Sequence, residues 1–239
     1  MAPLRKYFDA LLAHYGPPKW WPADSPFEVM VGAILTQNTS WKNVEKAIHN
    51  LKVYDLLDAR KLHELDQDTV AMAIKPAGTF NVKAARLKGF VAWFLDRYQG
   101  DLSKMKEQRP ERLREELLEV KGIGPETADA ILLYSAGRPV FVADAYARRL
   151  LAIHGFLPDG AGYEDARAFL EAHLPSDPAL FNELHALMVA AGKEHSRRAG
   201  RRSAPPRRGS PPPAPARPSP SSVSGRRAGR APARPARRR

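Results

Sequence analysis

The sequence predicts an all-α fold, and three observations carry that prediction. Apolar residues recur at the helical period in four separate segments, Ser-Pro and Asp-Pro pairs stand where helices would begin, and only three consecutive residues have strand composition. Leu4, Phe8, Leu11, Leu12 and Tyr15 make the first apolar face. Ser25 is placed to cap a helix whose first position is Pro26 and which runs through the apolar stretch Phe27 to Thr36. Leu87, Phe90, Val91, Phe94, Leu95 and Tyr98 make a longer face. Ala147, Leu150, Leu151 and His154 make a third, and Leu180, Leu184, Leu187, Met188 and Ala191 a fourth, opened by Asp177-Pro178. Breaks fall at Gly78, Gly100, Arg109-Pro110, Gly137-Arg138-Pro139 and Leu157 to Gly160. Val140-Phe141-Val142, bounded by Pro139 and Asp144, reads as an extended linker. About ten helices result, with no internal repeat.

Composition narrows the function. The chain has 239 residues and no cysteine, which excludes a disulfide scaffold, a Cys-ligated zinc finger and an iron–sulfur cluster held by its own thiolates. Its net charge of +12 is unevenly spread. Of 38 Lys and Arg, 14 Arg lie in residues 196–239, which hold no Lys, Asp or Glu. That leaves 24 basic against 26 acidic side chains in residues 1–195, a net of −2. No apolar run approaches the roughly 20 residues that span a bilayer. The first residues lack a long uncharged apolar segment and carry Asp9, so no signal peptide is expected and the protein is expected to be soluble and cytoplasmic. Residues 196–239, with 10 Pro and Val223 as the one large aliphatic, are expected to be disordered. Two readings fit them: a polybasic arm that binds nucleic acid by counterion release, or a shifted frame of GC-rich DNA.

The stretch from Leu117 to Leu132 is the most informative. A helix ends near Val120, Gly122-Ile123-Gly124 makes a turn expected to need positive φ at its glycines, and Pro125 starts a second helix with Ala128, Ile131, Leu132 and Ser135 inward. The backbone N–H groups of that turn, at a helix N-terminus, suit a phosphodiester, so even a near-neutral body could hold DNA. A plain αα-hairpin is the alternative. Asp144, 22 residues beyond Gly122, opens another helix. An aspartate there is an N-cap, and it is also a catalyst if its second oxygen faces a cleft.

Together these segments resemble the helix-hairpin-helix (HhH-GPD) DNA glycosylase superfamily and, within it, the endonuclease III-related proteins. The resemblance spans roughly residues 3–195 and rests on Ser25-Pro26-Phe27-Glu28 leading into Thr36-Gln37-Asn38-Thr39, on Pro76 to Ala84, on the Gly122-Ile123-Gly124 hairpin with Thr127-Ala128, and on Val142-Ala143-Asp144. It implies two helical lobes: residues 24–137 as a six-helix lobe, and 1–23 with 138–195 as the second. It implies a monomeric base-excision enzyme that bends double-stranded DNA containing damaged bases and flips the target nucleotide out of the stack. Gln37 would fill the hole left by the flipped base. Thr79 and its turn, with Asn81 and Lys83, would meet the backbone or opposite strand. Lys121, Gly122, Ile123 and Gly124 would meet phosphate at the hairpin, and Glu126 and Thr127 would also lie against the DNA. Asp144 would be the catalytic carboxylate, stabilising positive charge on the sugar or deprotonating water.

Two departures from the family shape the expected activity. Bifunctional members carry, at the position of Glu126, a lysine that forms a Schiff base and nicks the strand; a carboxylate cannot form an imine, so strand cleavage by that route is expected to be absent. Glu at this position is similar to the 3-methyladenine DNA glycosylase III subgroup, which implies excision of alkylated purines. Trp20, Trp21 and Trp41 resemble the aromatics lining that subgroup's base pocket, where a cationic purine stacks well; for Trp20 and Trp21, lid or core residues are the alternative. An endonuclease III-type pyrimidine glycosylase/AP lyase and a non-catalytic hairpin DNA-binding protein remain the competing functions. Most endonuclease III relatives also continue into four cysteines that ligate a [4Fe–4S] cluster. Here the chain turns into the Arg/Pro tail, so no cofactor and no metal site is expected, and His185 and His195 are expected to be packing or solvent histidines. A frameshift near Ser196 predicts that one of the two other forward frames, translated downstream of the Lys193 codon, encodes four cysteines in the family's cluster spacing. If neither frame does, the tail is a genuine extension.

Overall fold

The computed structural model describes residues 2–18 and 23–203. Those residues contain twelve α-helices and no strand: α1 Ala2–Tyr15, α2 Pro26–Leu35, α3 Trp41–Val53, α4 Ala59–Glu64, α5 Gln67–Ala73, α6 Phe80–Tyr98, α7 Leu102–Glu107, α8 Pro110–Glu119, α9 Pro125–Ala130, α10 Ala145–Ile153, α11 Tyr163–His173 and α12 Pro178–Ser203. A 3-10 turn, Lys75–Ala77, precedes α6, and α9 continues as a π-helical turn, Ile131–Ser135. The helices α4 and α7 have six residues each, too short for a period to show, which is why the sequence suggests fewer.

The helix α2 is the axis of the fold. Every residue from Glu28 to Leu35 is buried, and the helix packs against α3, α6, α9 and the π turn. Its start is a reciprocal cap. Ser25 Oγ accepts the Glu28 N–H at 3.2 Å, while Glu28 Oε2 accepts the Asp24 N–H at 2.9 Å. The buried Glu28 carboxylate is matched by Lys52 Nζ at 2.8 Å. The other end of α2 is closed from α6: Lys83, 1 % exposed, donates its ammonium to Leu35 O at 2.9 Å and Ala77 O at 2.7 Å. Lys88, further along α6, closes the end of α4 by donating to Leu62 O, His63 O and Leu65 O. Cations at carbonyl-rich helix ends are favoured both by hydrogen bonding and by the helix dipole.

The helices α1, α10, α11 and α12 meet one another. Tyr7 of α1 packs on His154 and Phe156 after α10, and Phe156 packs on Phe169 of α11. Tyr15 Oη donates to Glu194 of α12 at 2.5 Å. The apolar core runs without a gap from Leu4 and Phe8 through α2 and α6 to Leu187 and Met188. The segment Val140 to Ala143 threads through it in extended form, fully buried, with the Phe141 N–H held by Glu171 Oε1 at 2.8 Å. A second polar tie lies under the hairpin helices. Asp129 of α9, with no exposed surface, takes a two-pronged bond from Arg114 of α8 at 2.7 and 3.2 Å and one from Tyr163 Oη of α11 at 2.8 Å. No helix among the described residues is long and apolar enough to cross a membrane.

The helix α12 corrects one expectation. It runs to Ser203, so residues 196–203 are helical where composition alone predicts an unfolded chain. Extending a packed helix costs far less than nucleating one, and Ser196 Oγ accepts from Arg149 at 3.1 Å while Arg198 pairs with Glu194. The rest of the tail lies outside the described residues. Lys83 differs from its expected place at the DNA: its ammonium is buried and donates to two backbone carbonyls inside the fold. Lys83→Met, which keeps the stem and removes the charge, should lower unfolding stability by about 2–3 kcal/mol while leaving duplex affinity unchanged. Denaturant melts and a DNA titration check this; unchanged stability with lost affinity would return Lys83 to the DNA.

Candidate active site

Two helix starts frame the site: the hairpin into α9 and the head of α10. The hairpin is anchored from within. Ile123 is buried, and its N–H returns to Val120 O at 3.0 Å. Gly122 has φ +91°, and a Cβ there would stand 2.5 Å from Arg86 Cγ, so glycine is required both by conformation and by space. Gly124 differs from expectation. Its φ is −98°, which any residue adopts, and a Cβ on it would meet open space. What this glycine leaves clear is the outer approach to the α9 N-terminus, where among the described residues no protein acceptor takes the Gly122 or Gly124 N–H.

Gln37, in the turn after α2, is tied to this hairpin. Its Nε2 donates to Gly122 O at 3.1 Å and Thr127 Oγ1 at 3.0 Å, and its Oε1 accepts from Arg86. Thr127 is buried. Thr127 and Ile123 therefore shape the hairpin from inside rather than present side chains to a phosphate, a correction to the sequence-based assignment. Lys121, Gly122, Gly124 and Glu126 are exposed. Thr79 and Asn81 are exposed at the start of α6, and Thr79 holds φ +41°. Left-handed backbone at a β-branched residue is strained, and such strain gathers at contact sites. Trp41 begins α3, half-buried, on a cavity of about 200 Å³ that it shares with Glu28, Glu45, His49 and Lys52. Trp20 and Trp21 lie outside the described residues.

Asp144 caps α10. Its Oδ1 accepts the Ala147 N–H at 2.8 Å, so of the two roles open to this aspartate, cap and catalyst, one oxygen fills the first. The other, Oδ2, lies 3.5 Å from His185 Nε2 on α12. The side chain is 15 % exposed. Burial pushes its carboxyl pKa up, but the His185 imidazole and the N–H groups of Ala147 and Tyr146 outweigh that and hold it below the ordinary carboxylate range. Glu126 of α9 is shifted the other way, raised first by the protein atoms around it and then by the charge of Asp144, against His185 and Arg148. The geometry thus brings Asp144 and Glu126 into one electrostatic neighbourhood with opposite tendencies: one carboxylate held ionised, its neighbour biased toward its proton. Sequence reasoning missed two residues here, Tyr134 and Arg86; His185, expected as a packing or solvent histidine, is buried, and its Nδ1 meets the Tyr134 hydroxyl. No group of three or more His, Cys, Asp or Glu among the described residues is arranged to hold a metal.

Residues 31–176 match the HhH-GPD superfamily of base excision DNA repair proteins. The chain belongs to that superfamily. A Methanocaldococcus jannaschii protein with the provisional name DNA repair glycosylase is 44% identical over 195 residues, covering 81% of this chain and 88% of the relative. Endonuclease III of Sulfolobus acidocaldarius is 30% identical over 169 residues, 70% of this chain and 73% of that one. Among solved structures, H. pylori 3-methyladenine DNA glycosylase bound to 1,N6-ethenoadenine superposes with a TM-score of 0.68 at 29% identity, over 80% of this chain and 96% of that one. A trapped endonuclease III–DNA covalent intermediate shares the HhH-GPD fold, with a TM-score of 0.70 at 18% identity over 82% of this chain and 87% of that one.

The depressed pKa of Asp144 makes a stability prediction. A carboxyl whose folded pKa is lowered contributes stability that is fully present above its unfolded pKa, about 3.9, and is lost as pH falls through the folded value. Asparagine is an equally good N-cap, so Asp144→Asn removes the charge and keeps the cap. In urea unfolding, the advantage of the parent over Asp144→Asn should shrink as pH drops below about 4. A constant advantage would place the shift elsewhere.

Proposed function

We propose that the protein is a monofunctional DNA glycosylase that hydrolyses the N-glycosidic bond of a flipped alkylated purine in duplex DNA and leaves an abasic site. The observation that carries this reading is Asp144: a carboxylate held ionised, its cap bond made through Oδ1, beside the helix start that is open to a phosphate. Cleaving an N-glycosidic bond builds positive charge on the sugar, and an ionised carboxylate at that sugar stabilises the charge or takes a proton from the attacking water. The hairpin N–H groups of Gly122 and Gly124, with Lys121, hold the DNA backbone and so set the distance from sugar to carboxylate. Thr79 presses on the opposite strand. Gln37 fills the space of the extruded base, for which it gives up its bonds to Gly122 and Thr127.

Glu126 supports the monofunctional part, since no imine forms on a carboxylate. The purine part is supported by the likeness to the H. pylori 3-methyladenine glycosylase and by Trp41, which would stack on an electron-poor base. The protein is read as a cytoplasmic monomer that works without an iron–sulfur cluster: the chain has no cysteine, and Ser196, near where relatives place their first cluster ligand, is an ordinary position on α12. The endonuclease III relatives favour a second reading, pyrimidine excision with strand nicking.

One experiment separates these readings. On duplexes carrying either a methylated purine or an oxidised pyrimidine, the parent should release the purine and leave an unnicked abasic strand. Asp144→Asn should lower single-turnover release by several orders of magnitude with little change in duplex affinity. Borohydride should trap no covalent adduct. Parental rates in Asp144→Asn would overturn the catalytic assignment, and trapping with nicked pyrimidine product would favour the second reading.

A further inference from the structure

His185 is explained neither by packing nor by phosphate binding. It sits on α12 in an otherwise apolar face with Phe181, Leu184, Leu187 and Met188, all buried. Phe141 meets its ring edge-on, with centroids 6.3 Å apart at 89°. In this slot the imidazole meets polar groups on opposite sides: Nδ1 faces the Tyr134 hydroxyl, and Nε2 faces Asp144 Oδ2 at 3.5 Å. An imidazole between a phenol and a carboxylate is an arrangement, not a leftover of burial.

Two backbone features bring the three groups together. The π turn Ile131–Ser135 is closed by Ala136 N–H to Ile131 O at 3.0 Å and pinned to the start of α2 by Ser135 Oγ donating to Pro26 O at 3.0 Å. A wide turn inside a helix re-aims the residues it contains, and here it carries Tyr134. On the other side, α12 approaches α10 closely at Gly192, where a Cβ would stand 2.6 Å from the Tyr146 ring. Gly192 and His185 are seven residues apart, two helical turns along one face. The contact at Gly192 therefore sets the height of His185 against the head of α10.

We propose that His185 and Tyr134 are positioning residues for Asp144: the Tyr134 hydroxyl donates to Nδ1 and fixes the imidazole as its Nε2–H tautomer, and that N–H orients Oδ2 without taking away its charge. This rests on Asp144 being the catalytic carboxylate. An ionised carboxylate oxygen only accepts, so the ring nitrogen facing it, Nε2, carries the proton; Nδ1 of the neutral ring is then the acceptor, and the Tyr134 hydroxyl, which can play either part, is the donor. The neutrality of the ring matters. A sugar cation is stabilised by a full negative charge, and an imidazolium beside Asp144 would offset part of it. At 3.5 Å the contact falls short of a formed hydrogen bond, and catalytic hydrogen bonds are often long before substrate binds. Among the described residues, the titratable and charged groups near the imidazole include Asp144 at the head of α10, Tyr134 on the π turn and Glu126 on α9, on which Arg148 of α10 also acts.

The test has two readouts. In the parent protein, 15N shifts of the His185 ring above neutral pH should show a bare Nδ1 and a protonated Nε2, and Tyr134→Phe should give a mixture of tautomers. Single-turnover release of a methylated purine by His185→Gln should be slower by about tenfold or more with little change in duplex affinity. An Nδ1–H tautomer in the parent overturns the proposal, as does parental release by His185→Gln. If His185→Gln does not fold, the tautomer in the parent decides alone. Parental release by Asp144→Asn would instead overturn the catalytic reading beneath it, whatever the tautomer.

Discussion

The bond from the Ala147 N–H to Asp144 Oδ1 does two things at once. It closes the start of α10, where a free amide would otherwise be left without a partner, and it fixes the rotation of the carboxylate so that Oδ2 points across to α12. A side chain on a loop would have to be ordered when substrate binds. A capping side chain is ordered when the helix forms, and its entropy is lost during folding rather than during catalysis. Two side chains of the site are placed with respect to this carboxylate: Glu126 feels its charge, and His185 faces its second oxygen.

The rest of the fold holds these pieces at fixed distances. The buried helix α2 is locked at its start by the Ser25–Glu28 cap and at its end by the Lys83 ammonium, and the turn that follows delivers Gln37 to the hairpin. The hairpin helices α8 and α9 are tied to α11 through Asp129, Arg114 and Tyr163. A body with a net charge of −2 gains little from long-range attraction to DNA. Its grip has to come from local geometry, from amide groups aimed at a phosphate, and that requires a hairpin that does not deform. Gly122 packed on Arg86 and Ile123 sunk in the core meet that requirement.

Much of this is legible from residues alone. The start of α2 follows from Ser25-Pro26 and that of α12 from Asp177-Pro178, and the hairpin follows from two glycines flanking an isoleucine before a proline. The differences have physical causes. Lys83 reads as a DNA contact because lysine is usually exposed, yet it falls in register with Leu87, Phe90 and Phe94 on the buried face of α6, a signal the sequence does contain. His185 likewise shares a face with Phe181 and Met188, but only the approach of three chain segments distant in sequence shows that its two nitrogens meet Tyr134 and Asp144. Gly124 reads as a positive-φ residue, whereas its role is absence of bulk, which conformation rules do not capture. Composition places residues 196–203 with the unfolded tail because it takes no account of the packed helix that they extend.

The most direct measurement is the affinity of the protein for two duplexes that differ in one sugar: a neutral tetrahydrofuran abasic site and a pyrrolidine abasic site that carries a positive charge where the reacting sugar would. If the ionised carboxylate of Asp144 faces the developing cation, the charged duplex binds more tightly, and the preference disappears in Asp144→Asn while affinity for the neutral duplex stays the same. Equal affinities in the parent protein, or a preference that survives Asp144→Asn, would contradict it.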